Sequence, residues 1–249
     1  MKSERRTYRG VLQIVSFNWP FYVAGFIFVF FAAFLLRAFI LPWPYKLLLL
    51  VGIGFSLFWI FSSLIAAHWI YDRTFGGSWE WVRQFVNPAP RSLGQFHAGF
   101  DETRGELQNL YPTTPWVIAD ILPQKEVITA SLQRARQKQS GKALSINPIQ
   151  MPYPPESFSG IFLIFAAHEL RSSRTRLQFF AELHRVLEKG ARILLVEHLR
   201  DFANFAAFGP NFVHSYSRRE WLKCIQSNSL KVVAEFSKTP FIRIFVLEK

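Results

Sequence analysis

Cysteine is almost missing from this chain. Cys224 is its single example, which excludes an internal disulfide framework, fits a reducing compartment and leaves no Cys spacing of the metal-binding kind. Acidic residues are also scarce, with 17 Asp and Glu against 29 Lys and Arg and a formal net charge of +12. Such an excess suits nucleic acid, an anionic membrane surface or an anionic ligand. The basic residues are nevertheless spread along the chain, as in Arg134, Arg136 and Lys138, and form no concentrated binding motif. A nucleic-acid partner is therefore not expected. No internal repeat or low-complexity tract interrupts the chain.

What the sequence has in abundance is apolar residues, at 50%, including 27 Phe. They are unevenly spread. Residues 21–36 read FYVAGFIFVFFAAFLL without a charge, and residues 47–70 are again nearly all apolar. With their flanks, each is close to the roughly 20 residues that cross a bilayer core. Leu41-Pro42-Trp43-Pro44 between them makes a stiff turn, because proline opposes helix continuation. No small-residue cleavage site follows the first run and a second run comes at once, so a helical hairpin is expected rather than a cleaved signal peptide. Its spans fall at about 19–38 and 46–70.

Orientation follows from the basic residues. Lys2, Arg5, Arg6 and Arg9 flank one end and Arg73, Arg83 and Arg91 the other, against Arg37 and Lys46 at the turn. The positive-inside rule then puts both termini in the cytoplasm. Trp19, Trp43, Tyr45, Trp69 and Tyr71 stand where interfacial aromatics belong, and His68 reads as an interfacial residue near the end of a span. Residues 71–86 (YDRTFGGSWEWVRQFV) form an amphipathic segment whose Trp79, Trp81, Val82 and Phe85 either lie on the membrane or pack on the domain that follows.

Pro88 and Pro90 mark a linker, dividing a membrane region, residues 1–90, from a domain, residues 91–249. Strands are expected at 93–97, 116–119 and 143–146, with a helix ending at Tyr111 after the first and another over 123–138 after the second. Asp101 to Thr103 can cap the earlier helix. Residues 160–167 are a buried apolar run that stops at His168-Glu169; residues 176–187 have helical spacing and end at Lys189-Gly190; residues 193–196 are a second apolar run that stops at Glu197-His198. Strand, crossover helix and strand, both strands continuously apolar, describe a parallel sheet covered on both faces. Ligands of such sheets sit beyond the carboxyl ends of the strands, where both His/Glu pairs fall. Ser217 N-caps a further helix, and residues 230–236 and 241–247 read as a closing antiparallel pair. Phe202, Phe205, Phe208 and Phe212 recur at three- and four-residue spacing, as a helix covering the sheet or as an apolar lid.

The same stretch carries a resemblance. Residues 151–162 read MPYPPESFSGIF and residues 182–198 read ELHRVLEKGARILLVEH. In register this resembles the second half of a class I S-adenosylmethionine-dependent methyltransferase of the type 11 kind, whose pattern is roughly LPFPDxSFDxV, a strand, then ELxRVLKPGGxLxLVE. The resemblance implies a doubly wound, mostly parallel, seven-stranded α/β sheet, here preceded by two transmembrane helices, with S-adenosylmethionine as cofactor. It also implies methyl transfer, and the hairpin points to a small, lipophilic acceptor at the cell membrane, because a tether raises the effective concentration near bilayer-dissolved substrates. The competing reading is a membrane-anchored binding or scaffold protein that kept the fold without the catalysis.

Site residues follow in the same way. The family's first loop is glycine-rich; here it reads HAGFDE, and Gly99 alone remains of the GxGxG pattern. His97, Gly99, Asp101 and Glu102 are the cofactor-binding candidates on it, with Asp101 or Glu102 attracting the cofactor's ammonium group. The same two acids can instead serve only as a helix cap. Asp120, at the end of the second strand, is expected to hold the ribose, and Asn147, after the third, the adenine edge. His97, His168, Glu169, Glu197, His198 and His214 are expected at one rim of the sheet. His168 is the first candidate for a base, with Glu169 beside it.

Overall fold

The computed structural model describes residues 8–86, 89–101, 103–122, 129–138 and 144–249. The chain opens with two long helices, α1 (Arg9–Ala38) and α2 (Trp43–Ala67). Pro44 lies in the first turn of α2, where its missing N–H costs nothing. The two helices run against each other, and Tyr22 Oη meets Ser63 Oγ at 3.2 Å between them. Both are long and apolar enough to cross a membrane by length and composition, and only 11% of the most apolar window of each is buried. Helix α2 continues directly into a π-helical turn, His68–Thr74.

Seven strands follow: β1 (Leu93–His97), β2 (Trp116–Asp120), β3 (Leu144–Ser145), β4 (Phe158–Ile164), β5 (Leu187–His198), β6 (Lys231–Thr239) and β7 (Ile242–Glu248). They lie in the order β3-β2-β1-β4-β5-β7-β6. Strands β1 to β5 pair in parallel, and β7 runs antiparallel between β5 and β6. The doubly wound sheet and its antiparallel closing pair are as the strand pattern predicts. Helices α3 (Arg104–Leu110), α4 (Ala130–Lys138), α5 (Ser173–Val186), α6 (Phe202–Phe208) and α7 (Arg218–Gln226) connect them.

Alternation along β5 explains the two cores. Ile193 and Leu195 face α5 and α7, where Phe179, Phe180, Leu183, Trp221 and Ile225 are buried. Leu194 and Val196 face the other way, onto Phe75, Trp79, Val82 and Leu107. The amphipathic stretch after the hairpin therefore packs on the sheet, and Phe85 stacks on Phe236 of β6 with ring centroids 5.3 Å apart. Fully burying a side chain of this size contributes roughly 1.5–3 kcal/mol, so the segment ties the hairpin to the domain. Close approach at the centre needs Gly160, since a Cβ there would stand 2.8 Å from Leu93 Cδ2.

Three expectations are corrected. Helix α5 stops at Val186, not at Lys189-Gly190, because Leu187 is already extended and pairs with Phe158. The phenylalanine-rich stretch splits into α6 and a 3-10 segment, Gly209–His214. Its Phe205 meets Trp59 of α2 with centroids 5.8 Å apart, so it fills the space between hairpin and sheet rather than covering the sheet alone. The third strand shrinks to Leu144–Ser145. Residues 123–128, within the expected second helix, lie outside the described residues.

Candidate active site

The carboxyl ends of β1, β4 and β5 open on one cavity of about 260 Å³. His97 reaches it from β1, His168 and Glu169 from a single 3-10 turn after β4 (Ala167–Glu169), and His198 from the end of β5. Glu197 lies fully buried beneath His168. His214 is exposed and stands outside the cavity wall. Five of the six rim candidates are thus brought together by strand ends, as the topology demands.

His168 is clamped. Its Nδ1 lies 2.7 Å from Glu197 Oε2 and its Nε2 3.2 Å from Glu169 Oε1, while its backbone N–H donates to Glu197 Oε1 at 3.2 Å. Burial disfavours the charged ring, but the Glu197 charge and the hydrogen bonds to both carboxylates outweigh it and raise the His168 pKa to about 10. Burial opposes ionisation of Glu169 too, yet the hydrogen bond from His168 and the charges of His168 and Arg171 pull its pKa down to about 2. His168 is therefore an imidazolium at neutral pH, with protons on both nitrogens and no lone pair to accept another. His198 is the reverse case. Burial and the neighbouring His168 cation push its pKa down to about 4, against hydrogen bonds to Asn204 and Phe241.

The first loop turns at Gly99, whose φ of +75° falls where a Cβ is costly. Its N–H donates to Asp120 Oδ1 at 3.0 Å, and the Leu122 N–H donates to the same oxygen at 2.9 Å. Asp120 Oδ2 accepts from Arg136 Nη2 at 2.5 Å. Asp101 Oδ1 accepts from Gln95 Nε2 and from the backbone N–H groups of Thr103 and Arg104, at 2.8, 3.0 and 3.1 Å, so it caps the start of α3. Asn147 is exposed, and its Oδ1 accepts from the Ile149 N–H at 3.1 Å in a turn beyond β3. Glu102 lies outside the described residues.

Sequence reasoning missed a wall of the cavity. Ile14, Phe17 and Asn18 of α1 line it, as does Tyr71 of the π-helical turn. Asn18 leaves helical geometry, at φ −115° and ψ 19°, because Pro20 removes one backbone donor and crowds the preceding turn. Arg134 Nε of α4 donates to the Phe17 carbonyl at 2.7 Å, and the Phe17 and Phe100 rings meet edge to face at 5.2 Å. The signal was Asn18-Trp19-Pro20, a kink early in an otherwise regular span.

Residues 119–195 match the family model described as a methyltransferase domain. Among solved structures, the fold of the chain is similar to an S-adenosylmethionine-dependent methyltransferase of Methanosarcina mazei, at 15% identity and a TM-score of 0.50, covering 69% of this chain and 97% of the other. A second such methyltransferase, from Aquifex aeolicus, has 17% identity and a TM-score of 0.50, covering 68% and 87%. No curated protein matches by sequence.

The match to a methyltransferase domain over residues 119–195 points to S-adenosylmethionine as a cofactor. The residues fit it at the β1 end. Gln95 Oε1 and both ring nitrogens of His97 are buried with no partner among the described residues. Such atoms call for a ligand or water partner, and the amino-acid part of the cofactor has both donors and acceptors to offer. At the ribose end Asp120 is engaged by Arg136, so it would have to exchange that partner.

Proposed function

We propose that the chain is a membrane-anchored methyltransferase that moves a methyl group from S-adenosylmethionine to a small lipophilic acceptor at the cytoplasmic face of the cell membrane. One observation carries the acceptor class: the hairpin itself forms part of the cavity wall, through Ile14, Phe17, Asn18 and Tyr71. A compound dissolved in the bilayer then reaches the site along the anchor. Residues 1–90 act as the anchor and residues 91–249 as the transferase domain.

The cofactor, when bound, supplies an electrophilic methyl group on a sulfonium. His97 and Gln95 hold its methionine part, Gly99 lets the backbone approach, and Asp101 and Glu102 add negative charge on that loop. Asp120 takes the ribose hydroxyls once Arg136 swings away, and Asn147 borders the adenine side. His168 and Glu169 stand at the methyl-transfer end. Calorimetry on the full chain in phospholipid nanodiscs tests this. Heat with both S-adenosylmethionine and S-adenosylhomocysteine is expected. Silence with both would leave the scaffold reading, which the Arg136–Asp120 pair already favours.

A further inference from the structure

We propose that His198 is the general base of the transfer and that Tyr71, delivered by the membrane hairpin, presents a phenolic hydroxyl of the acceptor to it. This deepens the methyl-transfer reading above and rests on it.

The tautomer of His198 is set by its neighbours. Its Nδ1 faces two oxygens, Asn204 Oδ1 at 3.3 Å and the Phe241 carbonyl at 3.2 Å. The orientation of Asn204 is itself fixed, because its Nδ2 donates to Asp201 Oδ1 and to the Phe241 carbonyl, both at 3.1 Å. Two acceptors on one side require the proton on Nδ1, which leaves the lone pair on Nε2. That nitrogen lies 3.3 Å from Tyr71 Oη, and both residues line the cavity.

The ring is held in plane. Phe165 stacks on it at 4.9 Å and 23°, and Phe208 meets its edge at 5.6 Å. Phe165 adopts a φ of +51°, an uncommon conformation for an aromatic residue, while its N–H donates to the Val196 carbonyl at 2.9 Å. The groups facing His198 are Tyr71 from the π-helical turn, Asn204 and Phe208 from α6, the Phe241 carbonyl from the β6–β7 turn, and the His168 cation. Of these, the Tyr71 hydroxyl is the group that meets Nε2; in the transfer it donates to the acceptor oxygen, whose own hydroxyl takes its place on Nε2.

The acceptor class follows from the walls. Phe17, Phe100, Phe165 and Tyr71 make them aromatic, which suits a ring, and the Tyr71–His198 pair suits one hydroxyl on it. In the transfer the acceptor oxygen attacks the methyl carbon, an O–C bond forms and the S–C bond breaks, leaving neutral sulfur. The acceptor's hydroxyl proton passes to His198 Nε2. A hydroxyl being methylated becomes far more acidic than imidazolium, so a weak base that is always unprotonated at neutral pH can take its proton. His168, held as a cation between two carboxylates, cannot.

The test uses the full chain in phospholipid nanodiscs with ¹⁵N-labelled histidine, and 4-nonylphenol as acceptor probe. The spectrum of the six histidines, assigned with His198→Gln and His168→Gln, is expected to show His198 neutral and protonated on Nδ1 at pH 7, and His168 doubly protonated. A charged His198, or a proton on its Nε2, would overturn the assignment. His198→Gln should lower turnover of the phenol by about 10²–10⁴-fold and leave the heat of S-adenosylmethionine binding unchanged. Turnover should be level from pH 6 to 9; a rise of about tenfold per pH unit would make His168 the base instead. Cofactor heat without turnover of the phenol would overturn the acceptor class. No cofactor heat at all would sink the transferase reading, and the tautomer spectrum would still judge His198 by itself.

Discussion

Both carboxylate oxygens of Asp120 are engaged inside the protein, one by two backbone N–H groups and the other by Arg136. Arg136 is thus an internal competitor for whatever Asp120 holds. Removing a competing charge-assisted bond of about 1.5 kcal/mol should tighten S-adenosylmethionine binding roughly tenfold in Arg136→Ala, and calorimetry checks it; unchanged or weaker binding would mean that Asp120 does not touch the cofactor. Asp101→Ala should lose a helix cap of about 1 kcal/mol, a fall of about 2–4 °C in Tm for a domain of this size, read by thermal scan. His168 gives a pH dependence. Its folded pKa, about 10, lies above the ordinary 6.5, so its stabilisation is full below about pH 6.5 and fades as pH rises towards 10. Tm should fall between pH 7 and 9, and His168→Gln should flatten that slope. The placing of His97, Gly99 and His168 beside the strand ends was legible in the sequence; the pairing of Arg136 with Asp120 was not, since a basic residue on an amphipathic helix looks like any solvated one.

Among the elements, strands were easier to read than helix ends. The apolar runs of β4 and β5 are long enough to exclude water on both faces, so their positions follow from sequence alone. The end of α5 does not, because local capping by Gly190 competes with pairing of Leu187 to Phe158, and the tertiary contact wins. Gly190 keeps its positive φ of +72° inside the strand. The contact between α6 and α2 was equally hidden, since it depends on where the hairpin docks. Gly209 shows the constraint: its φ is +59° and ψ −145°, and a Cβ would stand 3.2 Å from the Trp59 ring. Gly209→Ala should therefore cost about 1–3 kcal/mol, visible as a lower Tm and as freer Trp59 fluorescence. An unchanged Tm would show that α6 does not bear on the hairpin.

At the scale of the whole molecule, the hairpin displays what water punishes and lipid does not. Phe30 is 72% exposed, Leu48 68% and Ile65 65%. Leaving each such side chain in water forgoes roughly 1.5–3 kcal/mol, a cost that the proposed bilayer around both helices would remove. The turn between them has Ile40 fully exposed, at the end opposite Asp72, which accepts the N–H of Gly10 at 2.6 Å and so fastens the start of α1 beside the end of α2. The proposed anchoring expects that fastened end in the cytoplasm, since Arg9, Arg73 and Arg83 lie near it in the sequence. Cysteine chemistry can check the topology, because Cys224 is buried and its pKa is raised by that burial to about 11, which makes it a poor nucleophile. In a Cys224→Ser background, a membrane-impermeant maleimide applied to intact cells should label Ile40→Cys and spare Lys189→Cys. After permeabilisation both should react. Labelling of Lys189→Cys in intact cells would invert the topology, and recovery of the chain in the supernatant after ultracentrifugation of a detergent-free extract would show that the hairpin does not enter a membrane.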